Sequence, residues 1–77
     1  MLKLYTFQSC PYCEKVRRVF MSDKVSYEEV TAERGTPGAE EVERLGGKLQ
    51  VPFLVDTEAG ISMYESDDII NYVQKNS

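Results

Sequence analysis

Leu2-Lys3-Leu4-Tyr5-Thr6-Phe7-Gln8-Ser9-Cys10-Pro11-Tyr12-Cys13 is the stretch on which the reading of this chain turns. Residues 2–7 form a short run rich in Leu, Tyr and Phe, closed by polar Gln8-Ser9, which predicts a buried strand. Pro11 suits the first turn of a helix, where its missing N–H costs nothing. Cys13, Val16, Val19 and Phe20 recur at helical spacing and predict one apolar face over residues 11 to 23. The only two cysteines, Cys10 and Cys13, therefore fall where a strand gives way to a helix. Thiols at that spacing on a helix N-terminus can close into a small disulfide ring and reopen, and the partial positive charge there stabilises a thiolate.

Working outward, Val25, Tyr27 and Val30 mark a second strand, and Thr31 to Gly38 reads as a loop punctuated by Gly35 and Pro37-Gly38. A short helix is expected from Ala39 to Leu45, with Val42 and Leu45 facing inward, ended by Gly46-Gly47. Val51 to Val55 reads as a third strand, Asp56 to Gly60 as a hairpin turn, and Ile61 to Met63 as a fourth strand. Ser66 is expected to cap a last helix with Ile69, Ile70 and Val73 inward. The order β-α-β-α-β-β-α makes the first two strands parallel with a right-handed crossover and the last two an antiparallel hairpin. Helices then cover both faces of a four-stranded mixed sheet, an α/β fold of thioredoxin type, as one domain over residues 1–77.

Composition narrows the function. A net charge of −4 argues against nucleic acid as the main partner, because that footprint is usually basic. No run approaches the roughly 18 apolar residues of a membrane span, and the first residues lack a signal-peptide pattern. A cytoplasmic, reducing compartment is the expectation, where disulfides are usually transient and catalytic. The chain has no histidine, which removes His-based metal sites, Ser-His-Asp triads and Cys-His dyads together. A closed zinc site within the chain would also need a second C-x-x-C, and there is none, so no metal is expected.

Thiol chemistry is what remains. Cys10, just before the helix, meets backbone N–H groups that lack intrahelical partners, and Lys15, Arg17 and Arg18 add positive charge within two turns. Cys13, one turn deeper on the apolar side, reads as the resolving thiol, which releases a mixed disulfide formed at Cys10. Pro52 at the start of a strand removes a ladder donor. In its cis form it would turn the chain so that the backbone beside it faces the thiols, and a substrate segment would pair with Val51 as an added strand. In Tyr64-Glu65-Ser66-Asp67-Asp68 two readings stand side by side: a helix cap with favourable acidic charges, or a cradle whose N–H groups take a ligand carboxylate while Glu65 or Asp67 takes its ammonium.

Taken together, C-P-Y-C after a strand, V-P before another and S-D-D opening the last helix resemble glutaredoxin in order and spacing over essentially the whole chain. Q-V-P and the stretch Glu65 to Val73 also resemble the N-terminal domain of glutathione transferases, which points to the transferase-like glutaredoxins. The resemblance implies a glutathione-dependent thiol–disulfide oxidoreductase acting on protein disulfides and glutathione mixed disulfides. It makes Cys10 the nucleophile and Cys13 the resolving cysteine. Val51, before Pro52, would pair with the cysteinyl backbone of glutathione, Ser66 and Asp67 would hold its γ-glutamyl end with help from Glu65, Lys48 matches a basic position near the glycine carboxylate, and Tyr12 would flank the groove. Glutathione is then the reductant, with no permanently bound cofactor, and the protein a monomer. The chain departs from the glutaredoxin pattern at Phe7, where many members carry lysine, and at Tyr64-Glu65, where a Gly-Gly pair is usual. The second departure suggests a transferase-like grip on the γ-glutamyl group.

Three other readings share these residues. A redoxin reduced by a flavoprotein reductase would use the same thiols without needing Glu65-Ser66-Asp67. A carrier of an iron–sulfur cluster would ligate it through Cys10 and glutathione, which Pro11 is thought to hinder in the family. A glutathione-binding module without catalysis would keep its affinity in Cys10→Ser.

Overall fold

The computed structural model describes residues 1–75. Its elements are β1 (Leu2–Thr6), α1 (Pro11–Ser22), β2 (Glu28–Thr31), α2 (Pro37–Gly46), β3 (Phe53–Asp56), β4 (Ile61–Tyr64) and α3 (Ser66–Lys75). The sheet order is β2-β1-β3-β4, with β1 and β2 parallel and the other pairs antiparallel. This is the expected thioredoxin-type fold.

Neighbouring side chains on a strand point to opposite faces, and the register turns that rule into two cores. Leu4 pairs with Leu54 and Tyr5 with Phe53. The leucines pack with Val16, Phe20, Ile69 and Val73 beneath α1 and α3. Tyr5 and Phe53 pack with Ala32 and Val42 on the α2 side, their rings edge-on at 5.9 Å. The helices thus cover both faces.

The expected second strand, Val25 to Val30, forms later and shorter, because the Val25 N–H bonds the Phe20 carbonyl at 2.8 Å and finishes the end of α1 instead of entering the ladder. Val25 and Tyr27 still pack on the core, Tyr27 against Phe20 at 4.9 Å between ring centroids. Helix α2 begins before Ala39: Thr36 caps it, its Oγ1 accepting from the Ala39 N–H at 3.2 Å, and Pro37 takes the first helical position. Part of the predicted loop is therefore helix. Leu45, expected inward, is 42% exposed, whereas Val42 is fully buried. Ser66 does not cap α3. The Glu65 carbonyl accepts the first helical N–H, from Ile69 at 3.0 Å, so Glu65 stands at the cap and Ser66 is the first helical residue.

Candidate active site

Cys10 occupies the N-cap of α1 with extended backbone (φ −91°, ψ 117°), and its sulfur accepts from the Cys13 N–H at 3.3 Å. That bond satisfies one of the helix's orphan donors with a sulfur that becomes a better acceptor once it loses its proton. Both cysteines are free thiols; Cys10 is half-buried and Cys13 fully buried. Burial pushes the Cys13 thiol up to about 12, with the contact to Cys10 in the same direction, while the Phe7 backbone N–H and the Arg17 guanidinium pull it down. The two sulfurs are thereby set apart: one reachable, the other held protonated in the core.

The positive charge expected around Cys10 is present but committed. Lys15 Nζ lies 2.6 Å from Asp67 Oδ1, Arg17 binds Glu29 at 2.8 Å and Glu14 at 3.3 Å, and Arg18 pairs with Glu14 at 3.6 Å.

A groove of ≈ 400 Å³ opens beside the start of α1, lined by Tyr12 and Lys15 on one side and by Gln50, Val51, Pro52, Glu65, Ser66 and Asp67 on the other. The Val51–Pro52 bond is cis, as the sequence suggested, and Val51 lies just outside the ladder, whose β1–β3 register ends at Tyr5–Phe53. Glu65 adopts φ +73°, an uncommon left-handed conformation for a residue with a side chain, and its carboxylate accepts from Gln50 Nε2 at 3.0 Å. A larger hollow, ≈ 560 Å³ between Met1, Asp23, Val25, Asp56 and Val73, lies at the opposite end of β1 and contains no thiol.

Of the residues named from sequence, Tyr12, Val51, Pro52, Glu65, Ser66 and Asp67 line one groove; Cys10 and Cys13 are not among its walls, which reach the dithiol through Tyr12 between them. Lys48 does not line it. Its ammonium sits 5.2 Å from the centre of the Tyr64 ring, and the Tyr64 hydroxyl donates to the Lys48 carbonyl at 2.7 Å. Lys15 was read only as charge near Cys10, and Gln50 only as part of Q-V-P; both prove to be groove walls. The signal for Gln50 was its place next to Val51-Pro52. For Lys15 it was the spacing from Tyr12, three positions along a helix and so on the same face. Among the described residues, no group of three or more His, Cys, Asp or Glu side chains is placed to hold a metal ion, and no helix is long and apolar enough to cross a membrane.

A thioredoxin-type sheet with a C-x-x-C dithiol opening its first helix defines a dithiol domain of the thioredoxin-fold class. The comparisons make that assignment specific: the glutathione S-transferase N-terminal domain model matches residues 4–77, and the chain belongs to that family. It is 36% identical over 74 residues to Glutaredoxin 2 of Escherichia coli (strain K12), covering 96% of this chain and 33% of that protein. The structure of Glutaredoxin 2 from Salmonella typhimurium in complex with glutathione matches with a TM-score of 0.79 at 29% identity, covering 95% of this chain and 32% of the other. A glutathione S-transferase from Methylobacillus flagellatus, with glutathione bound, matches with a TM-score of 0.84 at 26% identity, over 100% of this chain and 37% of that one. The chain thus spans about a third of the length of the Glutaredoxin 2 proteins it matches.

Proposed function

We propose that this protein is a glutathione-dependent thiol–disulfide oxidoreductase that reduces glutathione mixed disulfides and protein disulfides through Cys10 and Cys13. The observation that carries the reading is the pairing of a reachable Cys10 sulfur at the α1 N-cap with a buried Cys13 one turn away, beside a groove that ends in Glu65-Ser66-Asp67.

In the monothiol reaction the Cys10 thiolate attacks the glutathione sulfur of a mixed disulfide. The Cys10–glutathione bond forms, the old S–S bond breaks, and the substrate leaves as its thiolate. A second glutathione thiolate attacks the glutathione sulfur held on Cys10, releasing oxidised glutathione and restoring the Cys10 thiolate. In the dithiol reaction a protein disulfide takes the place of the first substrate. Cys13 then gives up its proton to the departing substrate thiolate and attacks the Cys10 sulfur, leaving a Cys10–Cys13 disulfide that two glutathiones reduce. Val51 offers backbone to the cysteinyl residue of glutathione, and Ser66, Asp67 and Glu65 take the γ-glutamyl end. Lys48 is a candidate for the glycine carboxylate, and Tyr12 flanks the ligand. The protein acts as a monomeric domain over residues 1–77 in the cytoplasm, on glutathionylated or disulfide-bonded proteins.

Turnover of a small glutathione mixed disulfide, coupled to glutathione reductase, tests this directly. Wild type should turn over and Cys10→Ser should not. Turnover through a thioredoxin reductase, with none through glutathione, would replace this reading with that of a flavoprotein-reduced redoxin.

A further inference from the structure

Among the described residues Arg17 is a heavily engaged cation, and it does not line the groove. Its Nη2 donates to the Phe7 carbonyl at 3.2 Å, its Nε to Glu29 Oε2 at 2.8 Å and its Nη1 to Glu14 Oε2 at 3.3 Å. Glu29 is fixed in turn by the buried Thr6, whose hydroxyl donates to the same Oε2 at 2.8 Å. The guanidinium therefore ties α1 to the end of β1 and to β2, with its side chain only 21% exposed. Phe7, which it grips, is the residue whose backbone N–H faces the Cys13 sulfur. The planar fork directs its N–H groups at three partners at once in a fixed geometry, which a single-point ammonium cannot do.

We propose that Arg17 is a positioning residue for the second half of the dithiol reaction: by anchoring the chain at the Phe7 carbonyl and adding positive charge one turn along α1 from Cys13, it prepares the buried Cys13 sulfur to attack the mixed disulfide on Cys10. Cys13 must reach its thiolate inside the core, where desolvation opposes the charge. In the reduced protein the Phe7 N–H and the Arg17 guanidinium both favour that form. Arg17 anchors the residue that carries the first and is itself the second. Glu29 and Glu14 temper the charge while holding the fork in place. The step balances as an ordinary exchange. The Cys13 proton leaves with the departing thiol, the Cys13–Cys10 bond forms, and the bond from Cys10 to the substrate sulfur breaks.

The inference rests on the dithiol role given to Cys10 and Cys13, but not on glutathione as reductant, and the experiment separates the two. Reduced protein is mixed with 5,5′-dithiobis(2-nitrobenzoate), and release of the yellow thionitrobenzoate is followed. Cys10 attack releases one equivalent in a phase whose rate rises with reagent concentration. Cys13 attack releases the second in a phase independent of it. Arg17→Met, which keeps the length and loses charge and donors, should slow the second phase roughly tenfold more than the first, the scale of one charge-assisted hydrogen bond. Arg17→Lys should recover part of that loss, as charge returns without the fork. An unchanged second phase in Arg17→Met, or equal slowing of both phases, overturns the proposal. Should Arg17→Met fail to fold, Arg17→Lys carries the test alone, and a second phase at the wild-type rate overturns it. If the wild type shows no second phase at all, the dithiol role of Cys13 falls first. If glutathione fails to turn over a protein whose second phase still depends on Arg17, only the choice of reductant is lost.

Discussion

Lys15 of α1 and Asp67 of α3, both lining the groove, form an ion pair with 2.6 Å between Nζ and Oδ1. It joins the helix that carries the dithiol to the turn that carries Glu65 and Ser66. Both side chains are more than half exposed, so the pair contributes less than about 1 kcal/mol to stability. Its value is positional. Asp67→Asn should therefore move the melting temperature little while raising the KM for glutathione severalfold, because the carboxylate that receives the γ-glutamyl ammonium is gone. A large fall in melting temperature with KM unchanged would assign Asp67 to the fold.

Selective alkylation should separate the thiols. With Cys13 buried and pushed up to about 12, its thiolate is rare at pH 8. Iodoacetamide at that pH should label reduced protein once, at Cys10, as read by intact mass and peptide mapping. Double labelling at comparable rates in folded protein would contradict the placement of Cys13.

Cys13→Ser should keep turnover of glutathione mixed disulfides, since a second glutathione can release the first from Cys10 without it. Reduction of a protein disulfide should fall at least about tenfold, the mixed disulfide now waiting for an outside thiol. Equal loss of both activities would give Cys13 a structural or chemical role other than resolution.

Alkaline stability follows from two raised groups. Burial pushes the Tyr5 phenol up to about 12, with its hydrogen bond to Glu41 acting the same way, and Cys13 is also held near 12. A group whose folded value lies above its unfolded one favours the native state while protonated. That stability is complete below the unfolded values, 10.0 for Tyr5 and 9.0 for Cys13, and is lost as pH rises toward 12. Melting temperature should hold to about pH 9 and then decline, with a shallower decline in Tyr5→Phe. A flat profile to pH 11 in wild type would count against both shifts.

Much of this was legible beforehand because the signals were local. Gln8-Ser9-Cys10-Pro11 fixes a strand end and a helix start within four residues, and the spacing of Cys13, Val16 and Phe20 gives the buried face of α1 without any knowledge of what covers it. What failed depended on partners far along the chain. Val25 reads as strand by composition, but its N–H goes to the carbonyl of Phe20. Ser66 has the chemistry of a cap, yet the chain enters α3 through a left-handed Glu65, and the cap position falls one residue earlier. Lys48 is near the groove in sequence terms, but the hydroxyl of Tyr64, sixteen residues on, holds its backbone to β4.

Gly46 belongs to the same class of feature. From sequence it reads only as half of a helix stop; Gly47, with φ +92°, is the residue that performs the stop. Gly46 is still helical, and a Cβ built on it would fall on the Tyr64 hydroxyl and press on the Phe53 ring. Tyr64 has little room to yield, being packed on Phe53 at 4.8 Å and hydrogen-bonded in both directions to the Lys48 backbone. Alanine is the better helix former by up to about 1 kcal/mol, but overpacking of this kind costs about 1–3 kcal/mol, so Gly46→Ala should destabilise on balance. At the usual scale for a domain of this size, each kcal/mol lost lowers the melting temperature by roughly 4–8 °C. Adding Tyr64→Leu removes the obstructing hydroxyl and should recover part of the Gly46→Ala loss, so the two substitutions couple instead of adding. Strict additivity in a double-mutant cycle would show that the glycine serves only to end the helix.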